Sequence, residues 1–263
     1  MKVKSKSAAS VSSNKVSQSY KHSLRSFLSK NPFSSPLTLG FFYREKMKAI
    51  YKIAPDSAYQ EILEVGGGKG GLTPLLYPKA QVTNIDIDPA FAEALSNQNK
   101  NVTFVCGDAT QLPFECDSFD AVTMFDVLEH IPDHKKAISE AFRVLRSGGT
   151  LLISTPNENW RFPYYRAMQF VCPSDSDVMA EWGHVRRGYA LSELTELIGL
   201  PCEQFCTFIT PITVIGHDIA FSHFPFLARQ LLSILVSPIT WVGYLLHQPH
   251  DKGTETAYSW KKP

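Results

Sequence analysis

The feature that most constrains the fold is an alternation beginning near residue 61: short apolar runs separated by stretches of helical character. Five runs lie at residues 62–65, 81–87, 102–106, 121–125 and 150–154, with helix-like segments near 70–76, 89–96 and 133–145. Runs of this kind, without polar–apolar alternation, are covered on both faces, as in a parallel sheet. Right-handed crossovers then place helices on both sides. Further on, residues 191–198 read as a helix, and 203–208 and 255–260 as two more strands. The expected fold is α/β: a doubly wound, mostly parallel seven-stranded sheet with an apolar helical insert before the last strand.

Upstream of the sheet, residues 36–53 read as an amphipathic helix, with Phe41, Phe42, Met47, Ile50 and Tyr51 near helical spacing. Residues 1–44 carry eight Lys or Arg and no acid, so the rest of a chain of net charge +1 carries −7. The basic, Ser-rich residues 1–30 are expected to be a disordered tail, and 31–263 one domain with a cofactor-binding core at 60–156. The alternatives for the tail are an organelle transit peptide or an electrostatic contact with anionic lipid. No apolar h-region follows the first lysines, so no secretory signal is expected. Five cysteines, an odd number without a CxxC pair, point to a reducing compartment and away from a disulfide framework or zinc ribbon. The expected location is cytoplasmic, with membrane association.

Ligands of doubly wound sheets sit at the carboxyl ends of the strands. The first run ends at Val65 and enters Gly66, Gly67, Gly68, Lys69, Gly70 and Gly71. Glycine allows positive φ and close approach of backbone to ligand, and the next helix offers unpaired N–H groups. The turn alone is ambiguous, because Gly66, Gly68 and Gly71 also satisfy the dinucleotide pattern G-x-G-x-x-G and admit a nicotinamide-dependent oxidoreductase. The second run ends at Asp86, a carboxylate suited to ribose hydroxyls in either case. The third ends in Gly107-Asp108-Ala109, where an acid can meet an adenine amino group. The fourth ends in Phe125-Asp126 and continues through Leu128-Glu129-His130.

Taken in order, EVGGGKG, NIDID, GDA, FDAV…LEHI and RVLRSGGTLLIS resemble the class I S-adenosylmethionine-dependent methyltransferases, of the type 11 and ubiquinone/menaquinone-biosynthesis kind. The resemblance covers about residues 60–156, and Gly183-His184-Val185 with residues 191–198 extends it. Two departures are Glu64, where Asp is commoner, and Gly67-Gly68 with Lys69, where a small or polar residue is more usual. The resemblance implies S-adenosylmethionine as cofactor. It places Glu64, Gly66, Gly67, Gly68 and Gly70 on the methionine part, Asp86 on the ribose, Ile87 on the adenine face and Asp108 and Ala109 on the adenine edge. Phe125 and Asp126 close the pocket. For Asp88, ahead of Pro89, a helix N-cap is expected instead.

His130 and His184 are the candidate general bases for an oxygen nucleophile. The alternatives are loop shaping or cofactor binding for His130 and structural hydrogen bonding for His184. Asp126-x-x-Glu129-His130 resembles the acid-x-x-Glu-His cluster of ubiquinone-biosynthesis O-methyltransferases, which bind a divalent ion, but the segment also occurs in metal-free members, and no metal is expected. The acceptor is expected to be a small molecule or lipid, methylated on oxygen or carbon; a non-catalytic cofactor-binding partner protein is the alternative from another class. Nucleic acid is disfavoured, because the core is net acidic and Ser154-Thr155-Pro156-Asn157 is not an amino-methylating Asn/Asp-Pro-Pro-Tyr motif.

The insert, residues 209–250, is apolar and aromatic, and 230–250 contain no Asp, Glu, Lys or Arg. Residues 231–246 are short for a membrane span and contain Pro238, which is expected to interrupt a helix. Ser233, Ser237, Thr240 and Tyr244 fall on one weakly polar face. A packed layer or dimer surface is one expectation; a lid over an apolar substrate or a segment in the membrane interface is the other.

Overall fold

The computed structural model describes residues 19–69 and 71–263; residues 1–18 of the expected tail, and Gly70, lie outside it. Seven strands form one sheet: β1 Glu61–Val65, β2 Gln81–Asp86, β3 Val102–Cys106, β4 Phe119–Phe125, β5 Leu145–Pro156, β6 Gln204–Phe208 and β7 Glu255–Lys261. Their order is β3-β2-β1-β4-β5-β7-β6. The first five are parallel, whereas β7 runs antiparallel between β5 and β6. Chain order reverses between β1 and β4, which creates the crevice where such sheets hold ligands.

Alternate residues of each strand supply two different cores. Ile62, Val82, Ala121 and Leu152 join Phe27, Phe41, Ile50, Leu76 and Tyr244 on one face. Leu63, Ile85, Val122 and Ile153 join Leu128, Ile138, Ala141 and Leu194 on the other. The first face carries α1 Leu24–Leu28, α2 Leu39–Ile53, α3 Thr73–Leu76, α7 Val214–Ala220 and α8 Phe226–Leu246; the second carries α4 His134–Val144 and α6 Leu191–Ile198. α5 Asp175–Trp182 lies over the strand ends, with Val178 in a small third cluster beside Trp160 and Phe162. Both faces of the parallel strands are thus apolar because both are covered, as their unalternated sequences require.

Three expectations need correction. The tail does not extend to residue 30: Ser23 accepts from Ser26 N as an N-cap, and α1 buries Phe27 and Leu28 in the core. The helices near 70–76 and 89–96 are shorter, Thr73–Leu76 and a 3₁₀ turn at Pro89–Glu93, the latter capped by Asp88 as expected. Pro238 does not interrupt the insert, since α8 runs 21 residues through it. Proline deprives the Ile234 carbonyl of its helical donor, and the Ser237 hydroxyl replaces it at 2.8 Å.

Candidate active site

The glycine turn is fixed from below by polar side chains in and beside β2. Gly66 (φ +71°) donates to Ile85 O, Gly67 N to Asn84 Oδ1 at 3.1 Å and Gly68 N (φ +53°) to Asp86 Oδ2 at 3.0 Å. Asn84 is itself held by Asn97 Oδ1 at 2.8 Å, and Asn97 returns a bond to Gly68 O. Glycine is required at 66 on two counts: its φ, and Val127 Cγ2, which a Cβ would approach to 2.3 Å. Glu64, 2% exposed, lies beneath the turn and accepts from Thr73 N at the start of α3. Burial raises its carboxyl pKa, against the opposing Thr73 bonds. Glu64 therefore supports the loop and helix start from inside.

Gly107 N donates to Asp86 O, so the ends of β2 and β3 present Asp86 and Asp108 side by side. Asp108 turns its own loop through Thr110 N at 2.7 Å, beside the half-buried Ala109. Ile87 is 74% exposed just past β2, a bare apolar surface at the rim. These residues fit an adenosyl ligand: carboxylate acceptors for hydroxyl and amino groups, an apolar plate for a ring, and a side-chain-free turn where a Cβ at Gly68 would occupy the space between Phe91 and Asp86. Gly70 lies outside the described residues.

At the end of β4, Phe125 is buried and Asp126 adopts φ +48°, a strained value for a non-glycine residue. Ser154 Oγ donates to Asp126 Oδ1 at 2.6 Å, and Lys46 of α2 pairs with Oδ2. Burial opposes the Lys46 charge, but Asp126, Tyr43 and Glu255 together hold its pKa above the ordinary lysine value. Behind them, Glu129 accepts from Thr155 Oγ1 at 3.0 Å. Burial first, then Asp126, pushes the Glu129 carboxyl upward, and Glu255 at the start of β7 is raised for the same two reasons. Three acids therefore share one ammonium, an arrangement that favours protonation of the buried ones.

His130 and His184 come together over this cluster, ring centroids 4.8 Å apart. His130 Nδ1 lies 3.1 Å from the Gly183 carbonyl; since a carbonyl only accepts, Nδ1 carries the proton and Nε2 is left as acceptor. His184 lies between Trp160 and Trp182, each ring 5.8 Å away and inclined to it, and its buried Nδ1 has no hydrogen-bond partner among the described residues. Burial, then His130, lowers its pKa to about 4, so it is neutral at pH 7. Together with Asp126, Glu129, Trp160 and Trp182, the two rings line a cavity of about 110 Å³. Glu129, His130 and His184 also bring one ligand atom each within 4.8 Å of one another. Sequence reasoning missed Lys46, Asn84, Asn97, Trp160, Trp182 and Glu255.

Known proteins match this region. The methyltransferase-domain family profile matches residues 63–153. A probable S-adenosylmethionine-dependent methyltransferase of Mycolicibacterium smegmatis is 34% identical over 44% of this chain and 46% of its own length. A ubiquinone biosynthesis O-methyltransferase of Coxiella burnetii is 28% identical over 48% of this chain and 64% of its own. The chain thus spans from about half to under two thirds of these relatives. An S-adenosylmethionine-dependent methyltransferase of Thermotoga maritima shares the fold at a TM-score of 0.56 and 18% identity, over 85% of this chain and 90% of its own. Residues 63–153 therefore match the methyltransferase domain, and over that stretch the chain is similar to S-adenosylmethionine-dependent methyltransferases.

Proposed function

We propose that the protein transfers a methyl group from S-adenosylmethionine to a small-molecule or lipid-like acceptor, by O- or C-methylation. The observation that carries this reading is the juxtaposition, at the carboxyl ends of neighbouring parallel strands, of the Gly66–Gly68 turn with Asp86 and of the aromatic pocket holding His130 and His184. When bound, the cofactor supplies a methyl group already activated by a sulfonium. Alignment by the protein is then worth about 7–11 kcal/mol of barrier. Asp86, Ile87, Asp108 and Ala109 hold the adenosyl end, and the Gly66–Gly68 turn approaches the amino-acid end. Phe125 and Asp126 close the pocket.

His130 is the better-placed base, because the Gly183 carbonyl fixes its tautomer with Nε2 free to take a proton from an acceptor hydroxyl. His184, too weak a base at a pKa of about 4, positions His130 and the acceptor instead. Trp160 and Trp182 give the acceptor an apolar wall, which suits a ring or polyprenyl group better than a nucleic acid. The name of the Coxiella burnetii relative supports the same class of acceptor. A cytoplasmic setting with membrane association completes the reading.

Calorimetry with S-adenosylhomocysteine, followed by an acceptor screen of quinones, polyprenols and glycolipids, tests it. Binding and methyl transfer are expected. Quenching by NADH without S-adenosylhomocysteine binding would establish the oxidoreductase alternative, and binding without turnover on any acceptor would leave a cofactor-binding partner protein.

A further inference from the structure

Helix α8 carries nine large apolar side chains on the outside of the protein, among them Leu231 (68% exposed), Leu235 (73%), Ile239 (62%) and Leu246 (69%). Ile212 extends the stripe beside Ile239 and Val242. A soluble monomer rarely exposes a contiguous apolar surface of this extent, about 31 Å long for a helix of 21 residues. Its Ser, Thr and Tyr side chains from Leu231 onward are withdrawn or satisfied: Ser233, Thr240 and Tyr244 are buried, and Ser237 bonds to Ile234 O. From Leu231 onward the outward face therefore offers a protein partner few hydrogen bonds beyond the acceptor capacity of Ser237, whereas protein interfaces carry about one per 100–200 Å².

Charge in the two segments that meet at the helix is one-sided. Residues 219–250 contain no carboxylate, and neither do residues 1–44. These two segments meet: Arg44 sits over the Trp241 and Tyr244 rings at 5.9 Å, and the loop through Ser29, Asn31 and Phe33 borders a groove with Trp241, beside exposed Lys30. An apolar stripe flanked by cations, with one exposed acid, Glu181, beside its start, matches an anionic lipid surface.

We propose that α8 seats the protein on an anionic bilayer, lying in the membrane plane with its outward stripe among the acyl chains and Lys30 and Arg44 toward the lipid phosphates. The helix does not cross the bilayer, although its length permits it. Its inner face packs on α2, with Trp241 5.2 Å from Phe41 and Lys48 Nζ bonded to Tyr244 O, and the chain then re-enters the sheet as β7. This inference rests on the lipid-like-acceptor reading for its purpose. A cavity of about 490 Å³ under the start of the stripe is lined by Phe226, Arg229 and Ser233, and it shares Trp182 with the methyl-transfer pocket.

The test is flotation of the full chain with phosphatidylcholine vesicles, with and without phosphatidylglycerol. Binding is expected with the anionic vesicles, and added salt is expected to weaken it. Leu231→Glu with Leu235→Glu should lower partitioning at least about tenfold, since each leucine loses the burial of its whole side chain. Flotation unaffected by the double variant would overturn the proposal. So would resistance to alkaline carbonate, which means spanning, or a dimer that the double variant dissociates while vesicle binding persists. S-adenosylhomocysteine calorimetry on both proteins keeps the readings apart: unchanged heats with lost flotation place the effect at α8, whereas absent heats with intact flotation count against methyl transfer alone.

Discussion

Lys46 of α2 and Asp126 at the end of β4, eighty positions apart in the chain, form an ion pair directly over the crevice where the sheet reverses its order. The pair fastens the N-terminal helix to the strand end that carries the strained φ of Asp126. Its ammonium is also the cation nearest three crowded carboxyls. The side chains are 13% and 31% exposed, between the buried and surface cases. Lys46→Met should therefore cost roughly 1–3 kcal/mol in urea denaturation. Adding Asp126→Asn should recover part of that loss; a double variant as unstable as the sum of the singles would show that the two residues act independently.

The glycine turn predicts a contrast between two alanine substitutions at almost the same φ. Gly66 and Gly199 lie at +71° and +74°, but only at Gly66 does an added Cβ collide, with Val127. Gly199→Ala should cost about 1 kcal/mol of backbone strain and leave S-adenosylhomocysteine binding intact. Gly66→Ala should cost more and weaken that binding at least about tenfold. Equal effects on binding would remove the turn from the cofactor site.

The two histidines should separate kinetically. His130→Gln is expected to lower kcat about 10²-fold or more on an oxygen acceptor, with S-adenosylhomocysteine affinity retained. His184→Gln should act mainly on KM, as the proposed positioning role requires. Chelator-treated protein should keep its activity. Loss on chelation, restored by Mg²⁺ or Mn²⁺, would reassign Glu129, His130 and His184 to an ion.

Two buried groups should tilt stability against pH in opposite directions. Burial raises Glu45 from 4.5 to about 8, so the folded state keeps a proton that the unfolded chain releases, and stability declines as pH rises through that window. The decline is bounded at roughly 5 kcal/mol. His217, enclosed by Phe42, Phe162 and Phe221, is lowered from 6.5 to about 4 by burial. Its contribution is complete above 6.5 and lost as pH falls toward 4. Tm measured against pH should lose the decline between about 4.5 and 8 for Glu45→Gln and the loss below about 6.5 for His217→Phe.

Much of the sheet was legible because its strands are apolar on both faces, and the glycine turn because it follows a strand directly. Lys46, Trp182 and Glu255 were not. They reach the pocket from α2, α5 and β7, and nothing local in their sequences says that these elements converge. A partial signal did exist: Glu45-Lys46 interrupts a helix otherwise apolar on its inner face, and Asn84 stands between Val82 and Ile85 in a buried strand. Pro238 misled for the opposite reason. A sound local rule was overridden by a neighbouring hydroxyl, and the weakly polar face that included Ser233 and Thr240 proved to be the one turned inward.

Among the described residues strand β6 has a single neighbour, β7, and the whole excursion through α7 and α8 separates the two in the chain. Ring-closure entropy grows only logarithmically, about 0.6 kcal/mol for each doubling of length. The antiparallel pair can therefore tolerate excursions of very different size at its open end while the parallel strands stay as they are. The segment between Phe208 and Glu255 can thus change in length without moving the glycine turn after β1, which β4 and β5 separate from β7 in the sheet order.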